Sequence, residues 1–147
     1  MTRLNSRGYT MVEAVAVIVL IALLGAIGLP KMRRAHTITQ LNGGRSALMN
    51  LATAARTAAV TRAAPSRLRI TADSQWVEVQ VGGAWQRVGH KRQIAQEFRV
   101  SLPAPDTVGF LPSGRVIITD GGPNVTLYTH HGSEYRAVTI ESYGRIQ

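Results

Sequence analysis

The chain has 147 residues, enough for one compact domain with an appended segment. It contains no cysteine, which excludes disulfides, thiolate metal sites and thiol nucleophiles. Its 17 Lys and Arg outnumber 8 Asp and Glu, giving a formal charge of +9, and 45% of its residues are hydrophobic. This composition argues against a disordered tail and predicts a basic, folded protein with an anionic partner.

The amino terminus contains an apolar run without charges from Ala14 to Leu29, and Arg3 and Arg7 precede it. As a helix this run would span about 24 Å, slightly less than a hydrocarbon core of about 30 Å. Adding residues 9–12 gives a membrane-spanning length but places Glu13 inside the span. Cations flank both ends, so the positive-inside rule gives no orientation.

This segment has three interpretations. A cleaved secretory signal would use 26–28 (AIG) as its cleavage site, but the run is long, contains an acid and is followed directly by cations. A plain membrane anchor fits the length and leaves Glu13 unexplained. The third interpretation is a resemblance to a known family, and it accounts for Glu13, a carboxylate that in lipid needs a partner or a proton. The simpler alternative is that Glu13 reaches the headgroups near the helix start.

The segment 7–13 (RGYTMVE) resembles the class III signal of type IV pilins and pseudopilins. The resemblance implies that a prepilin peptidase cleaves after Gly8 and that Tyr9, in place of the usual phenylalanine, becomes the N-methylated first residue. Glu13 is then the fifth mature residue, and we expect it to pair with the terminal amine of a neighbouring subunit in a filament. Pro30 becomes the twenty-second, where pilins commonly carry a proline that loosens the helix.

Beyond Pro30 the chain is predicted to continue as a helix to residue 64. Apolar residues at three-to-four spacing predict one buried face, formed by Leu41, Leu48, Leu51/Ala52, Ala55 and Ala59. Residues 42–44 (NGG) predict a kink. Arg45 and Arg56 are about three turns apart, so we expect them to share a side that faces solvent or a partner.

After Pro65 the hydrophobic period changes to two, which predicts strands. The predicted strands are 67–72, 76–81, 84–88, 97–102, 109–111, 115–119, 125–130 and 135–141, with turns at 82–83, 112–114 and 120–124. A long helix followed by antiparallel strands is an α+β fold. We predict a leader at 1–8, a spine helix at 9–64 with 9–29 in the membrane or filament core, and a globular β domain at 65–147.

Two further segments sharpen the resemblance. Residues 109–115 (GFLPSGR) resemble the phenylalanine-x-proline-x-glycine element of the GspH/FimT family of minor pilins and pseudopilins, and 143–147 (YGRIQ) resemble its glycine–arginine tail. The resemblance implies two small antiparallel sheets packed on the helix. It also implies DNA binding, because FimT-type members bind DNA through a glycine–arginine–x–arginine tail. Gly144 and Arg145 match that tail, whereas Gln147 stands where the second arginine would be.

Other cations are candidates to extend a DNA-binding surface. These are Arg136, near the tail, and Lys91 with Arg92, which we expect on a middle loop. Removal of residues 1–8 would take away Arg3 and Arg7 and lower the formal charge from +9 to +7. The alternative is that these cations solubilise the surface or contact neighbouring subunits.

Nothing in the sequence predicts catalysis, a metal or a cofactor. His130, His131 and Glu134 are the best candidate ligands, but adjacent residues on a strand point to opposite faces. There is no nucleophile elbow and no glycine-rich phosphate loop. We therefore expect a protein that is not an enzyme.

The expected function is that of a FimT-like minor type IV pilin. Such a protein crosses the bacterial inner membrane once, with its C-terminal domain in the periplasm, and assembles with other pilins into a pilus. One alternative is a GspH-like minor pseudopilin of a type II secretion system. The other is a membrane-tethered periplasmic binding domain that never polymerises.

Overall fold

The computed structural model describes residues 10–102, 106–117 and 124–147. Its helices and strands are, in chain order, α1 (Met11–Thr61), β1 (Ser66–Ile70), β2 (Gln75–Val81), β3 (Ala84–Arg92), α2 (Ile94–Phe98), β4 (Asp106–Phe110), β5 (Val116–Ile117), β6 (Asn124–His131) and β7 (Glu134–Glu141). A long N-terminal apolar helix followed by antiparallel sheets confirms the predicted α+β class.

The chain divides into two compact units, of which the first ends at His36 and the second runs from Thr37 to Gln147. The first unit contains the apolar part of α1. That part is long and apolar enough to span a membrane, with a mean hydropathy of 2.7 over its most apolar window. The second unit joins the C-terminal part of α1 to all the strands.

The described residues of the second unit form two antiparallel sheets. The larger has the strand order β3-β2-β1-β4-β5, and β6 and β7 form the smaller. The β2–β3 hairpin turns at Gly82 and Gly83, as predicted, and both glycines have positive φ. The chain end lies along β7: the amides of Thr139 and Gln147 each donate to the other residue's carbonyl, at 2.8 and 2.9 Å. The C-terminal residues thereby form a third, short extended segment beside β7 in the smaller sheet.

One face of α1 and the inner faces of both sheets form a single core. The helix contributes the predicted residues, because Leu41, Leu48, Ala52, Ala55 and Ala59 are fully buried. Alternate residues of β1, β4 and β7 pack in the same core, among them Leu68, Phe110 and Ile140. Alanine at most of the helix positions lets the backbones of helix and sheet approach closely.

The predicted strand at 97–102 is wrong. Residues 97 and 98 belong to the end of α2, and Arg99 follows in the left-handed conformation with φ of 52°. The buried amide oxygen of Gln75 accepts a hydrogen bond from the Ile94 amide at 3.1 Å, which fixes the start of the helix. Of the predicted strand, Ser101 alone forms a bridge, to His130.

Residues 42–44 do not interrupt α1. A Cβ added to Gly43 would lie 2.5 Å from two ring carbons of Phe98, and one added to Gly44 would lie 3.1 Å from Val100. The absence of side chains at these two positions allows α2 and the segment after it to pack directly on the helix. Close packing, rather than a break in the helix, is therefore the structural reason for this pair of glycines.

Candidate functional site

The first turn of α1 holds the carboxylate of Glu13. Glu13 Oε2 accepts hydrogen bonds from the backbone amide and the hydroxyl of Thr10, at 3.1 and 3.2 Å, and the Glu13 amide donates to Thr10 Oγ1 at 3.2 Å. This reciprocal arrangement is a capping box, in which an N-cap threonine and a glutamate three residues later satisfy each other's amides. The T-x-x-E spacing signals it in the sequence, and our sequence reasoning missed it.

The capping box turns the Glu13 carboxylate toward the start of the chain. Gly8 and Tyr9, the predicted cleavage and methylation positions, lie outside the described residues. Pro30 lies within α1, and the helix continues on both sides of it. Large apolar side chains along this part of the helix are exposed, among them Ile18 at 65% and Leu24 at 72%. A Cβ at Gly25 or Gly28 would meet nothing within 4 Å.

The two tail residues that are candidates for DNA contact, Gly144 and Arg145, differ in exposure. Gly144 is buried with φ of +87°, and Arg145 is exposed. Gln147 donates a hydrogen bond from Nε2 to Glu141 Oε1 at 2.8 Å. The side chain at the position of the second tail arginine is therefore engaged within the chain, and the tail presents the single guanidinium of Arg145.

Arg56 connects the two segments that carry the family resemblance. Its Nε donates to the carbonyl oxygen of Gly114 at 3.2 Å. A Cβ on Gly144 would overlap that same oxygen and lie 2.7 Å from Arg56 Nε. Beside this contact the Val116 amide donates to the Ser142 carbonyl at 3.0 Å. We call the Arg56, Gly114 and Gly144 contact the glycine clasp.

Arg45 and Arg56 therefore do not face solvent or a partner, as the sequence analysis expected. Arg45 Nε donates to the Ala137 carbonyl at 2.9 Å, and both arginines are half-buried. They bind carbonyls 92 and 58 residues further along the chain, respectively. A helix surface analysed by itself gives no sign of partners so distant in sequence.

Comparison with solved structures identifies the architecture. A crystal structure of the type IV minor pilin FimU of Pseudomonas aeruginosa matches with a TM-score of 0.60 and 17% identity, covering 74% of this chain and 87% of that one. The minor pseudopilin EpsH from the type 2 secretion system of Vibrio cholerae matches with a TM-score of 0.57 and 15% identity, covering 74% and 94%. The chain has the minor pilin and pseudopilin fold. No protein-family model and no curated protein matches the sequence.

On this minor pilin fold, the cations that were expected to extend a DNA-binding surface have different surroundings. Lys91 and Arg92 lie at the end of β3, not on a loop. Lys91 Nζ lies 4.4 Å from the ring centre of Trp76, whereas Arg92 donates to the Glu97 carboxylate at 2.7 Å. Arg136 is half-buried, and its guanidinium donates to the Tyr135 carbonyl at 2.9 Å. The structure therefore does not gather these cations around Arg145.

An open groove of about 790 Å³ lies beside Lys91 and Arg92. Asp73 and Glu97 line it as well, so its charges are mixed. Such a groove does not select for a polyanion.

The candidate metal ligands do not converge: His131 and Glu134 are paired across β6 and β7, whereas His130 is paired with Tyr135 and lies on the opposite face of the sheet. His130 lies 6.0 Å from Tyr128 and 5.9 Å from Tyr135, ring centre to ring centre, and His131 Nδ1 lies 2.9 Å from the Arg99 carbonyl oxygen. Among the described residues no group of three His, Asp or Glu side chains is placed to hold a metal ion.

A cluster of tryptophans and cations lies on the outer face of the larger sheet and was not expected from the sequence. The Arg67 guanidinium lies 4.0 Å from the ring centre of Trp85. Arg67 also pairs with Glu78 at 2.6 Å, and Trp76 Nε1 donates to the same carboxylate at 2.7 Å. Burial raises the pKa of Glu78, but the hydrogen bonds from Trp76 and Arg67 and the nearby charges outweigh burial, so the pKa lies below its ordinary value.

Proposed function

We propose that this chain is a minor pilin subunit that assembles into a filament through the N-terminal part of α1. The main support for this proposal is that one chain combines a minor pilin fold with an exposed, uninterrupted apolar helix that has Glu13 in its first turn. Apolar side chains that find no partner in the subunit are expected to be covered by lipid before assembly and by neighbouring helices after it. The role is structural rather than enzymatic.

Processing by a prepilin peptidase is part of this proposal. The enzyme would cut after Gly8 at the cytoplasmic face of the inner membrane, and methylation would follow on Tyr9. The beta domain would then lie in the periplasm and later on the outside of the filament. The resemblance of residues 7–13 to the class III signal supports this order of events.

The capping box gives Glu13 a specific role in assembly. In the separate subunit one carboxylate oxygen is satisfied by Thr10, so the acid is tolerated near the helix start. In a filament the terminal amine of a neighbouring Tyr9 would bind the same carboxylate and neutralise its charge, which an amide hydrogen bond cannot do. Charge neutralisation in an apolar surrounding favours the assembled state and sets the register between subunits.

The test is the intact mass of the full chain, purified from membranes after co-expression with a prepilin peptidase. We expect loss of residues 1–8 and gain of one methyl group. Gly8→Ala should abolish both changes and filament incorporation, whereas the matched Gly25→Ala should still be cleaved. A mature protein that retains residues 1–8 in the presence of active peptidase would refute the proposal and favour the tethered, non-polymerising domain.

The system that uses the subunit has two candidates. We favour a type IV pilus, and the alternative is the pseudopilus of a type II secretion system, since solved structures of both kinds share this fold. Recovery of the processed chain with sheared surface pili supports the pilus. Cross-linking to secretion pseudopilins, without surface pili, would support the alternative.

DNA binding is a second candidate function, supported by the charge of +9 and the exposed Arg145. The tail contributes one guanidinium, that of Arg145, because position 147 is a glutamine, whose side chain is bound to Glu141. We therefore expect Arg145→Gln to weaken, but not abolish, the binding of DNA to the full chain in detergent. Absence of any DNA binding at low salt would refute this function and leave the filament role untouched.

A further inference from the structure

The outer face of β1, β2 and β3 combines two tryptophans with several cations. The register pairs Arg67 with Glu78, Arg69 with Trp76, Glu78 with Arg87 and Gln80 with Trp85, so these side chains project from the same side of the sheet. Residues between them on β1 and β2 are buried against the core. Lys91 joins the outer set through its contact with Trp76. We call this surface the tryptophan face.

The tryptophan face carries a net positive charge. Its outward side chains on β1 to β3 include four cations, Arg67, Arg69, Arg87 and Lys91, and one carboxylate, that of Glu78. Arg67 is bound to that carboxylate at 2.6 Å, and only 24% of its side chain is accessible. Three cations therefore remain for an external anion, although Arg69 also donates a hydrogen bond to Thr107 Oγ1 at 3.4 Å. Arg69 lies on β1, whereas Arg87 and Lys91 lie on β3, about 10 Å away across β2.

The two indoles are held in place by the same set of residues. A cation lies against each ring, Arg67 on Trp85 and Lys91 on Trp76, and Trp76 Nε1 is bound to Glu78. Trp85 nevertheless remains 37% exposed. From the register, the two tryptophans are about 14 Å apart, with Arg87 between them along β3. Rings that are already oriented lose little entropy when a planar group stacks on them.

We propose that the tryptophan face binds single-stranded nucleic acid, with bases stacked on Trp85 and Trp76 and phosphates bound by Arg69, Arg87 and Lys91. Aromatic rings within a basic surface are the combination that binds single strands without sequence preference, because every base has a π-face and every nucleotide has a phosphate. An acidic protein would satisfy the charges but gives no reason for oriented indoles. A duplex buries its bases and would use the cations alone.

This inference deepens the DNA-binding candidate and places the main contact on a sheet other than the one that carries Arg145. It does not depend on filament assembly or on cleavage after Gly8. The mass measurement above and the binding measurement below can therefore fail independently.

The test uses the full chain in non-ionic detergent and a fluorescein-labelled oligothymidylate of about 20 nucleotides, longer than the sites of most comparable single-strand binding modules. Fluorescence anisotropy gives Kd over a series of salt concentrations. Trp85→Ala should raise Kd by about tenfold and leave the salt dependence unchanged, because stacking releases no counterions. Trp85→Phe should recover part of the affinity.

Substitution of a cation should instead change the salt dependence of binding. Arg87→Gln should reduce the slope of log K against log salt by about 0.7, the value for one phosphate contact on a single strand. Arg62→Gln, which removes an exposed cation just beyond α1, is the matched control and should leave both Kd and slope unchanged. The wild-type chain should prefer the oligonucleotide to polyphosphate, which has the charge but no bases.

Four results would overturn the inference. The first is no binding at low salt, and the second is equal binding of oligonucleotide and polyphosphate. The third is loss of binding in Arg145→Gln while Trp85→Ala and Arg87→Gln bind normally, which would assign the site to the tail. The fourth is a change in oligomeric state in Trp85→Ala with unchanged Kd, which would make the face a protein contact.

Discussion

Substitution of Gly144 by alanine tests the glycine clasp directly. At φ of +87° a side chain is strained by about 1–2 kcal/mol relative to glycine. The added Cβ would also overlap the Gly114 carbonyl oxygen and lie 2.7 Å from Arg56 Nε. Forcing a methyl group into packed backbone costs about 1–3 kcal/mol more. We expect Gly144→Ala to lower the free energy of unfolding by about 3 kcal/mol, a large share of the about 5–15 kcal/mol typical of a domain.

Gly132 provides the matched control. Its φ is +62°, but a Cβ there would meet nothing within 4 Å, so Gly132→Ala should show only the backbone strain, about 1 kcal/mol. Urea unfolding of the full chain in detergent, followed by tryptophan fluorescence, reports on the correct unit because Trp76 and Trp85 both lie in the larger sheet. Equal effects of the two substitutions would show that the clasp contributes nothing beyond backbone strain.

Two further predictions use the same unfolding measurement. Gly43→Ala should lower the free energy of unfolding by about 1–3 kcal/mol, because its Cβ would lie 2.5 Å from the Phe98 ring and displace it; an unchanged midpoint would show that the ring moves away freely. Because the pKa of Glu78 is lower in the folded chain than in the unfolded chain, Glu78 of the unfolded chain is protonated first as the pH falls. The stabilisation by the ionised Glu78 carboxylate is therefore present above pH 4.5 and is lost as the pH falls through the lower folded-state pKa. In Glu78→Gln this part of the pH dependence should disappear, and an identical acid profile in the variant would contradict the interpretation.

The helix and most strands could be predicted because their burial is periodic in the sequence. Leu68 and Ile70 alternate with arginines, and the structure buries the former and leaves the latter on the outer face. The helix face from Leu41 to Ala59 follows from the same kind of periodicity. Where one side of a helix or strand is buried and the other is solvated, the local hydrophobic pattern is sufficient to predict that element.

Elements that depend on distant partners could not be predicted in this way. Phe98, Val100 and Leu102 alternate like a strand, but the Gln75 side chain binds the Ile94 amide and starts a helix just before them. The tryptophan face was missed for a related reason. The predicted strands 76–81 and 84–88 contain Trp76 and Trp85. Their contacts with Arg67 and Lys91, however, require the pairing of three strands and a shift in register between Gln75 and Val77.

The glycine clasp changes what the C-terminal resemblance implies about function. Gly114 and Gly144 both have positive φ and pack against Arg56, so packing alone accounts for these two glycines in the motifs. Gln147 is likewise accounted for by its bond to Glu141. In the tail, Arg145 is then the matched residue whose side chain packing does not explain, because it is exposed. DNA binding would therefore depend on Arg145 and the tryptophan face, whereas the two glycines stabilise the fold. Loss of DNA binding in Gly144→Ala would for that reason report unfolding unless the variant's tryptophan fluorescence remains native.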